Sequence, residues 1–522
     1  MKIYKSLCVV AALAASLGAD VLLDGASFDT AKVQAISKGE AVKIDPAALK
    51  RAQKSYDELI NAAKSGVKIY GLTVGVGLNK DRQMIKPNGE LSDELIKASE
   101  RFNVGLIHAH CGGVRDDLPR ETVRAIMAIR ANNMLFGHTG VSPKVIKMLS
   151  GFINKDIIPA VPSFGSMGEA DITILGHLGL AMIGEGEVYY KGEKMSATKA
   201  LKSAGIEPLV PFGKDSLSIL SSNAYSVAIA SLAIEELKTL NRNLKLVYAL
   251  SLEALNGNVS PFSKAAASLR PFAGFVQVSS ELREILKDSY LNEPSAERAL
   301  QDPLSYRDAA YIISTIDESL AKLAELFSVQ LNSSDDNPGV ANGKVVPSAN
   351  FEPIIWVLEL EKLSIAIAHN SKAASERTIK LSDDKFTHLS RFLGTDETVH
   401  AFGAMQKPFV ALSGENEALA NPVSLNYVPV AGDIEDVATN APLAAIKLAK
   451  AIDNLSYIVA MELIHAAQAI YLRLAAQPDL KLSATTKRLY SEFRKVVKFM
   501  QKDRVMTPDF RRAYEFIKSY KG

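Results

Sequence analysis

The chain has 522 residues, 48% hydrophobic and 23% charged, enough apolar side chain to bury a large core and too much for a disordered segment. Sixty basic residues against 58 acidic ones leave a net charge of +2, which excludes any case for nucleic acid or an anionic membrane resting on bulk charge. Cys8 and Cys111 are the two cysteines, too few for a zinc motif or a disulfide framework. A prior of about 150 residues per domain suggests three domains.

The first element reads as an address. Lys2 and Lys5 precede an almost wholly apolar run, Leu7 to Leu17, that ends on small residues at Ser16-Leu17-Gly18-Ala19. This is the pattern of a secretory signal peptide over 1–19. The run is shorter than the roughly 20 apolar residues a spanning helix needs, so no membrane insertion is expected once the signal is cleaved. Asp20 stands where a lipoprotein would need cysteine. Cleavage removes Cys8 and leaves Cys111 alone, so the exported chain forms no internal disulfide. The expected destination is the bacterial periplasm.

Residues 20–215 read as a loop-rich N-terminal part. A helical pattern begins at Pro46, and the glycine-rich stretch Tyr70-Gly71-Leu72-Thr73-Val74-Gly75-Val76-Gly77 interrupts it. Helical periodicity resumes over 92–156, and a second glycine-dense interruption runs from Gly165 to Gly168. Val188-Tyr189-Tyr190 leads into Lys191-Gly192-Glu193, a strand followed by a tight turn. From about 216 to 480 the chain reads as a central bundle of long helices. Residues 217–234 hold no charge, yet Ser218, Ser221, Ser222, Asn223, Ser226 and Ser231 lie among them, which favours a helix buried all round over a membrane span. Similar long patterns cover 354–376 and 441–475, each broken by charges such as Glu359, Lys362, Lys447, Asp453 and Glu462, and 481–522 forms a C-terminal helical tail.

Polar groups in apolar surroundings mark the candidate chemistry. Tyr70 opens the glycine-rich loop and suits a mobile lid carrying a base; an ordinary packed loop tyrosine is the alternative. His108 and His110 are two apart and face opposite sides of a helix, so the pair makes no metal site. Glu169 and Asp171 precede the apolar run Ile172 to Ile183 and serve either as helix caps or in a site. Gln301 and Arg307 place an amide and a guanidinium six residues apart, fit for a carboxylate clamp or a structural ion pair. Lys407 and Glu435 sit beside helical stretches, Lys407 within an otherwise apolar pattern.

In chain order these features resemble the histidine and phenylalanine ammonia-lyase superfamily, over nearly all of the chain after residue 20. The Tyr70 loop is similar to the family's base-carrying loop, and Leu106-Ile107-His108-Ala109-His110 places the family's histidine at His110. Gln301-Asp302-Pro303-Leu304-Ser305-Tyr306-Arg307 resembles the glutamine–arginine motif. Asp336-Asn337-Pro338, Asn350-Phe351, Ser375-Glu376-Arg377, Glu415-Asn416 and Glu435-Asp436 follow at matching places. The resemblance implies a mainly α fold, ammonia-lyase-like, with one continuous lyase unit in place of three domains. It also implies a homotetramer whose active sites draw loops from several subunits.

Three departures cluster in one functional unit. Family lyases build an electrophilic methylidene-imidazolone from an alanine-serine-glycine triplet, where this chain has Gly168-Glu169-Ala170-Asp171. Ser221 stands in place of the assisting asparagine and Leu304 in place of a tyrosine. No such cofactor, and no metal, is therefore expected. A quaternary ammonium needs no electrophile because it leaves as a neutral tertiary amine, and the pattern resembles the cofactor-free, ergothionase-like branch. That resemblance implies elimination of trimethylamine from ergothioneine, a zwitterion, to give thiourocanate. Tyr70 would remove the β-proton, and Arg307 would hold the carboxylate. Lys407 and Glu435 would polarise the thioimidazole, and Glu169 or Asp171 would attract the trimethylammonium. Phe351 would add a cation–π face, with His110 and Gln301 as further contacts. Elimination or aminomutase chemistry on another histidine-like amino acid or betaine, and a non-catalytic binding protein of the same fold, are the alternatives.

Overall fold

Two helices of 32 and 36 residues, Ala224–Leu255 and Ala441–Ala476, pack against each other at the centre of the molecule. The computed structural model describes residues 20–69, 72–73 and 93–522; the expected signal peptide and Tyr70 lie outside the described residues. Both central helices are largely apolar and buried for most of their length, the burial that makes so apolar a helix stable in water. Asn440, in the left-handed region, precedes the second, and Pro442 sits in its first turn. The first ends on Asn256, also left-handed, whose N–H returns to the carbonyls of Leu252 and Glu253.

Ile354–Leu381 and Ala309–Leu331 pack beside this pair, and Gln406–Leu419 covers the outer side. One ion pair locks the bundle: Arg377 gives two hydrogen bonds, of 2.6 and 2.8 Å, to the carboxylate of Glu462, and both side chains are buried. Ala484–Val496 and Thr507–Ser519 form the tail, the former docked on the first central helix and the latter on both, chiefly the second. The main buried apolar cluster runs from Val21 to Tyr520, with three small clusters beside it.

The 20–215 part carries more helix than a loop-rich reading suggests. Thr30–Ser37, Pro46–Lys64, Pro143–Lys155 and Ala197–Ala204 are each started by a side-chain cap, from Asp29, Asp45, Ser142 and Ser196. The periodic 92–156 region is three helices, Asp93–His110, Arg120–Leu135 and Pro143–Lys155, with a short strand, Val114–Asp117, between the first two. Glu187–Tyr190 and Glu193–Ser196 pair antiparallel. Lys191 and Gly192, at φ of 55° and 81°, make the tight turn the strand twist favours.

The charge-free run 217–234 is not one helix. Asp215–Leu220 stops, Ser221–Asn223 breaks away, and a new helix begins at Ala224. Serine and asparagine side chains compete for backbone groups, and here they win because a buried carboxylate receives them. Asp335 accepts from the Ser222 hydroxyl and the Asn223 N–H, both at 2.9 Å. Asp335 and its neighbour Asp336 bond Arg130 at 3.1 and 2.8 Å, and Lys214 bonds Asp336 at 2.6 Å. All four side chains are buried. Such a quartet contributes little net stability against an apolar core but fixes one arrangement.

Candidate active site

The break at Ser221 opens onto a cavity of about 480 Å³. Leu106 and His110 at the end of the 93–110 helix form one wall; Glu169, Ala170 and Ile172 form a second. Leu217, Leu220 and Ser221 close the floor, while Asn337, Phe351, Ala431, Ile434 and Glu435 complete the rim. A larger cavity of about 1010 Å³, around Phe262, Leu282 and Leu480, contains none of the expected site residues. The chemistry therefore concentrates in the smaller one.

His110 is the last residue of its helix, and its Nδ1 donates to the Leu106 carbonyl at 2.8 Å. In the neutral ring that leaves Nε2 as an acceptor. His108 instead faces the surface, 2.7 Å from the carboxylate of Glu185, the opposite orientation that a two-residue spacing requires.

Glu169 occupies the apex of a tight turn between Gly168 and Ala170, which bridge each other with φ of 97° and 62°. Gly168 is obligatory there, since a Cβ would stand 2.9 Å from the Ala441 nitrogen and the Thr439 hydroxyl. Asn223 supports the turn by donating to the Gly168 carbonyl at 3.2 Å. The Glu169 carboxylate is left with a buried oxygen, Oε1, that has no hydrogen-bond partner. Burial raises its carboxyl above the usual range, and the charges of Glu435 and Glu352 push the same way.

Asp171 does not line the cavity, which corrects its place among the candidate substrate contacts. It is fully buried, accepting from the Ser226 N–H at 2.8 Å and from the hydroxyls of Ser226 and Ser166. Burial pushes its carboxyl up to about 7. It stands at the N-cap position of Ile172–Met182 without a capping hydrogen bond, so its role is to tie the Glu169 turn to the start of the 224–255 helix.

Glu435 reaches the cavity on a doubled-back loop. Val430 and Glu435 pair through their backbones, and Ala431, Gly432 and Asp433 between them are all left-handed. Phe351 follows the Gly339–Ala341/Lys344–Val346 hairpin and is half-buried. His110, Glu169, Phe351 and Glu435 are thus brought together as expected. Gln301, Arg307 and Lys407 do not line the cavity within one chain. Arg307 Nη1 donates to Gln301 Oε1 at 2.8 Å, and its Nε is buried without a partner. Lys407 lies exposed in the first turn of the 406–419 helix.

Asn337 and the apolar wall were not among the candidate site residues. Asn337 could be read only from the Asp335-Asp336-Asn337-Pro338 string, whereas Leu106, Ile172, Leu217 and Leu220 carry no local signal. The turn that would build a methylidene-imidazolone contains no serine, and a glutamate side chain takes its apex; the residues present do not fit that group. No cluster of three metal-ligating side chains occurs among the described residues. What the cavity offers is an apolar pocket with facing carboxylates, one aromatic face and an imidazole. That set suits a small cation with an attached ring.

Comparison with known proteins identifies the family. The profile of the aromatic amino acid lyase family matches residues 28–495. Histidine ammonia-lyase of Chloroflexus aurantiacus is 31% identical over 503 residues, 94% of each chain. That of Bacillus subtilis is 31% identical over 509 residues, 95% of this chain and 96% of the relative. Among solved structures, the ergothioneine-degrading enzyme ergothionase of Treponema denticola, in complex with desmethyl-ergothioneine sulfonic acid, superposes with a TM-score of 0.88. It is 38% identical, over 96% of this chain and 99% of that one. Tyrosine aminomutase of Streptomyces globisporus reaches the same TM-score at 25% identity, over 96% of this chain and 97% of that one.

Proposed function

The chain belongs to the aromatic amino acid lyase family and is a carbon–nitrogen lyase, and we propose that it eliminates trimethylamine from ergothioneine without a methylidene-imidazolone. The observation that carries this is the unpartnered Glu169 oxygen in the cavity. A primary ammonium would recruit acceptors through its N–H groups. A quaternary ammonium has none, and is held instead by charge and by an aromatic face. Glu169 supplies the charge and Phe351 the face.

In the proposed reaction Tyr70 takes the β-proton as phenolate. An unperturbed tyrosine titrates at roughly 10, so its surroundings must lower that value. The electron pair of the broken C–H bond forms the Cα=Cβ double bond. The Cα–N pair departs on nitrogen as neutral trimethylamine, and the proton passes from Tyr70 to solvent. Charge developing at the β-carbon is spread into the thioimidazole, which Glu435 and Lys407 polarise. Arg307, with Gln301, holds the carboxylate, and His110 adds a further contact.

Arg307, Gln301 and Lys407 reach the cavity in this reading from neighbouring subunits of a homotetramer. Exposed apolar side chains support such packing: Leu304 beside Arg307, Val410 beside Lys407, and Ile355, Leu358 and Ile365 on one face of the 354–381 helix. The basic, apolar leader supports a periplasmic location.

Incubating the purified mature protein with ergothioneine should release trimethylamine and raise thiourocanate absorbance. Turnover of histidine or another betaine with none of ergothioneine would overturn the reading. An intact mass two waters below that of the mature sequence would show that the cofactor forms after all.

A further inference from the structure

The near-neutral total conceals a polarised molecule. Residues 481–522 carry twelve basic and four acidic side chains, a net of +8, whereas the preceding 480 residues carry 48 basic and 54 acidic ones, a net of −6. The fold gathers this excess on one outer layer. Ala484–Val496 and Thr507–Ser519 both turn apolar faces inward, burying Leu489, Phe493, Ala513 and Ile517. Lys487, Arg488 and Lys495 fall on the opposite face of the first helix by its 3.6-residue period, and Lys498 follows in line just past its end. Each of these four is exposed, and none makes an ion pair among the described residues. Arg511 lies exposed and unpaired in the same way on the second helix.

Two of the segment's four acidic residues, Asp503 and Asp509, are already engaged, and the other two, Glu492 and Glu515, are outnumbered by its basic side chains. Asp509 is buried between Arg504 and Arg512, and Asp503 accepts the backbone N–H groups of Val399, His400 and Ala401. The connecting loop also presents Val505, 76% exposed, beside Arg504 and Lys502. Cations arrayed on two helices, with an apolar tip between them, match an interface of anionic headgroups over a hydrocarbon layer. Nucleic acid would instead call for a groove or exposed stacking aromatics, and the outward stripe of the 484–496 helix has Ser491 between its cations.

We propose that this face binds an anionic lipid surface peripherally, with the catalytic cavity lying elsewhere on the molecule. The interaction is electrostatic and therefore salt-dependent.

The test is co-sedimentation of the full mature chain with vesicles of phosphatidylcholine, with and without about a third phosphatidylglycerol. The expected result is binding to the anionic vesicles alone, abolished by high salt. Reversing four charges (Lys487→Glu, Arg488→Glu, Lys495→Glu, Lys498→Glu) should lower partitioning by at least about 100-fold, with helix content and melting temperature kept. Should the reversed protein misfold, Lys487→Gln with Lys495→Gln replaces it, and an intermediate loss is expected. Equal binding to both vesicle types, unchanged binding of a folded variant, or binding to duplex DNA in preference to anionic vesicles would each overturn the proposal.

Discussion

Glu169→Gln separates function from stability within one side chain. The substitution keeps shape and hydrogen-bonding capacity but removes the charge that faces the cavity. Methyl groups keep a carboxylate about 5 Å from a quaternary nitrogen, and at an effective dielectric of about 20 that pair is worth roughly 3 kcal/mol. Glu169 is only half-buried, so solvent screening reduces this to about 1.5–3 kcal/mol, a fall of roughly 10- to 150-fold in kcat/KM. The same change should stabilise the fold. Because burial raises the Glu169 carboxyl, the folded chain holds its proton more tightly than the unfolded one. That contribution to stability is complete below the ordinary carboxyl range and is lost as pH rises through the raised value. At neutral pH the unpaired carboxylate is therefore a liability, and its amide should raise the melting temperature by about 1–2 °C. Acid should also depress wild-type kcat/KM by protonating Glu169, a limb missing from the Glu169→Gln profile. Steady-state assays of thiourocanate formation and thermal melts at pH 7 read both effects. A Glu169→Gln enzyme with wild-type kcat/KM and an unaltered or lower melting temperature would refute the reasoning.

Tyr70→Phe and Lys407→Met should each remove most turnover while leaving helix content intact, and full activity of Lys407→Met would withdraw its assignment. Asp171→Asn should flatten the stability profile. With the carboxyl pushed up from 3.8 to about 7, wild type loses stability as pH climbs between those values, and the difference in melting temperature between the two proteins should change across that window. Arg377→Met strands the buried Glu462 carboxylate and should cost about 3–5 kcal/mol in urea unfolding. Adding Glu462→Leu should recover most of that loss, and a single variant within error of wild type would contradict the buried ion pair.

Periodicity disclosed the long helices because burial over most of their surface leaves a long apolar record that scattered charges do not erase. It failed at Ser221–Asn223, where the residues that end the helix are compatible with its interior. Only Asp335, more than a hundred residues away, decides the matter. The same distance problem governed the site. Glu169 and Asp171 are two residues apart and equally acidic, yet one faces a cavity and the other Ser226, because Ala170 between them adopts a left-handed backbone that no propensity scale anticipates. Gln301 and Arg307 were legible as a pair because their contact is local. The apolar wall from Leu106 to Leu220 was not, since nothing distinguishes such residues from core until the fold sets a void beside them.

The Arg130 quartet also dictates an order of assembly. Its carboxylate partners lie 205 and 206 residues downstream, so during synthesis the guanidinium waits for well over a third of the chain. Closing so long a loop is slow, and contacts of this separation form late. The Ser221 break, and with it the cavity floor, cannot settle before Asp335 arrives, and Glu435 must follow to finish the rim. Arg242 and Asn243 then reach the carbonyl of Tyr520, almost at the last residue. The candidate pocket is thus a late product of folding, absent from any nascent or partly threaded chain, and a deletion of only the final few residues should be felt in the central helix.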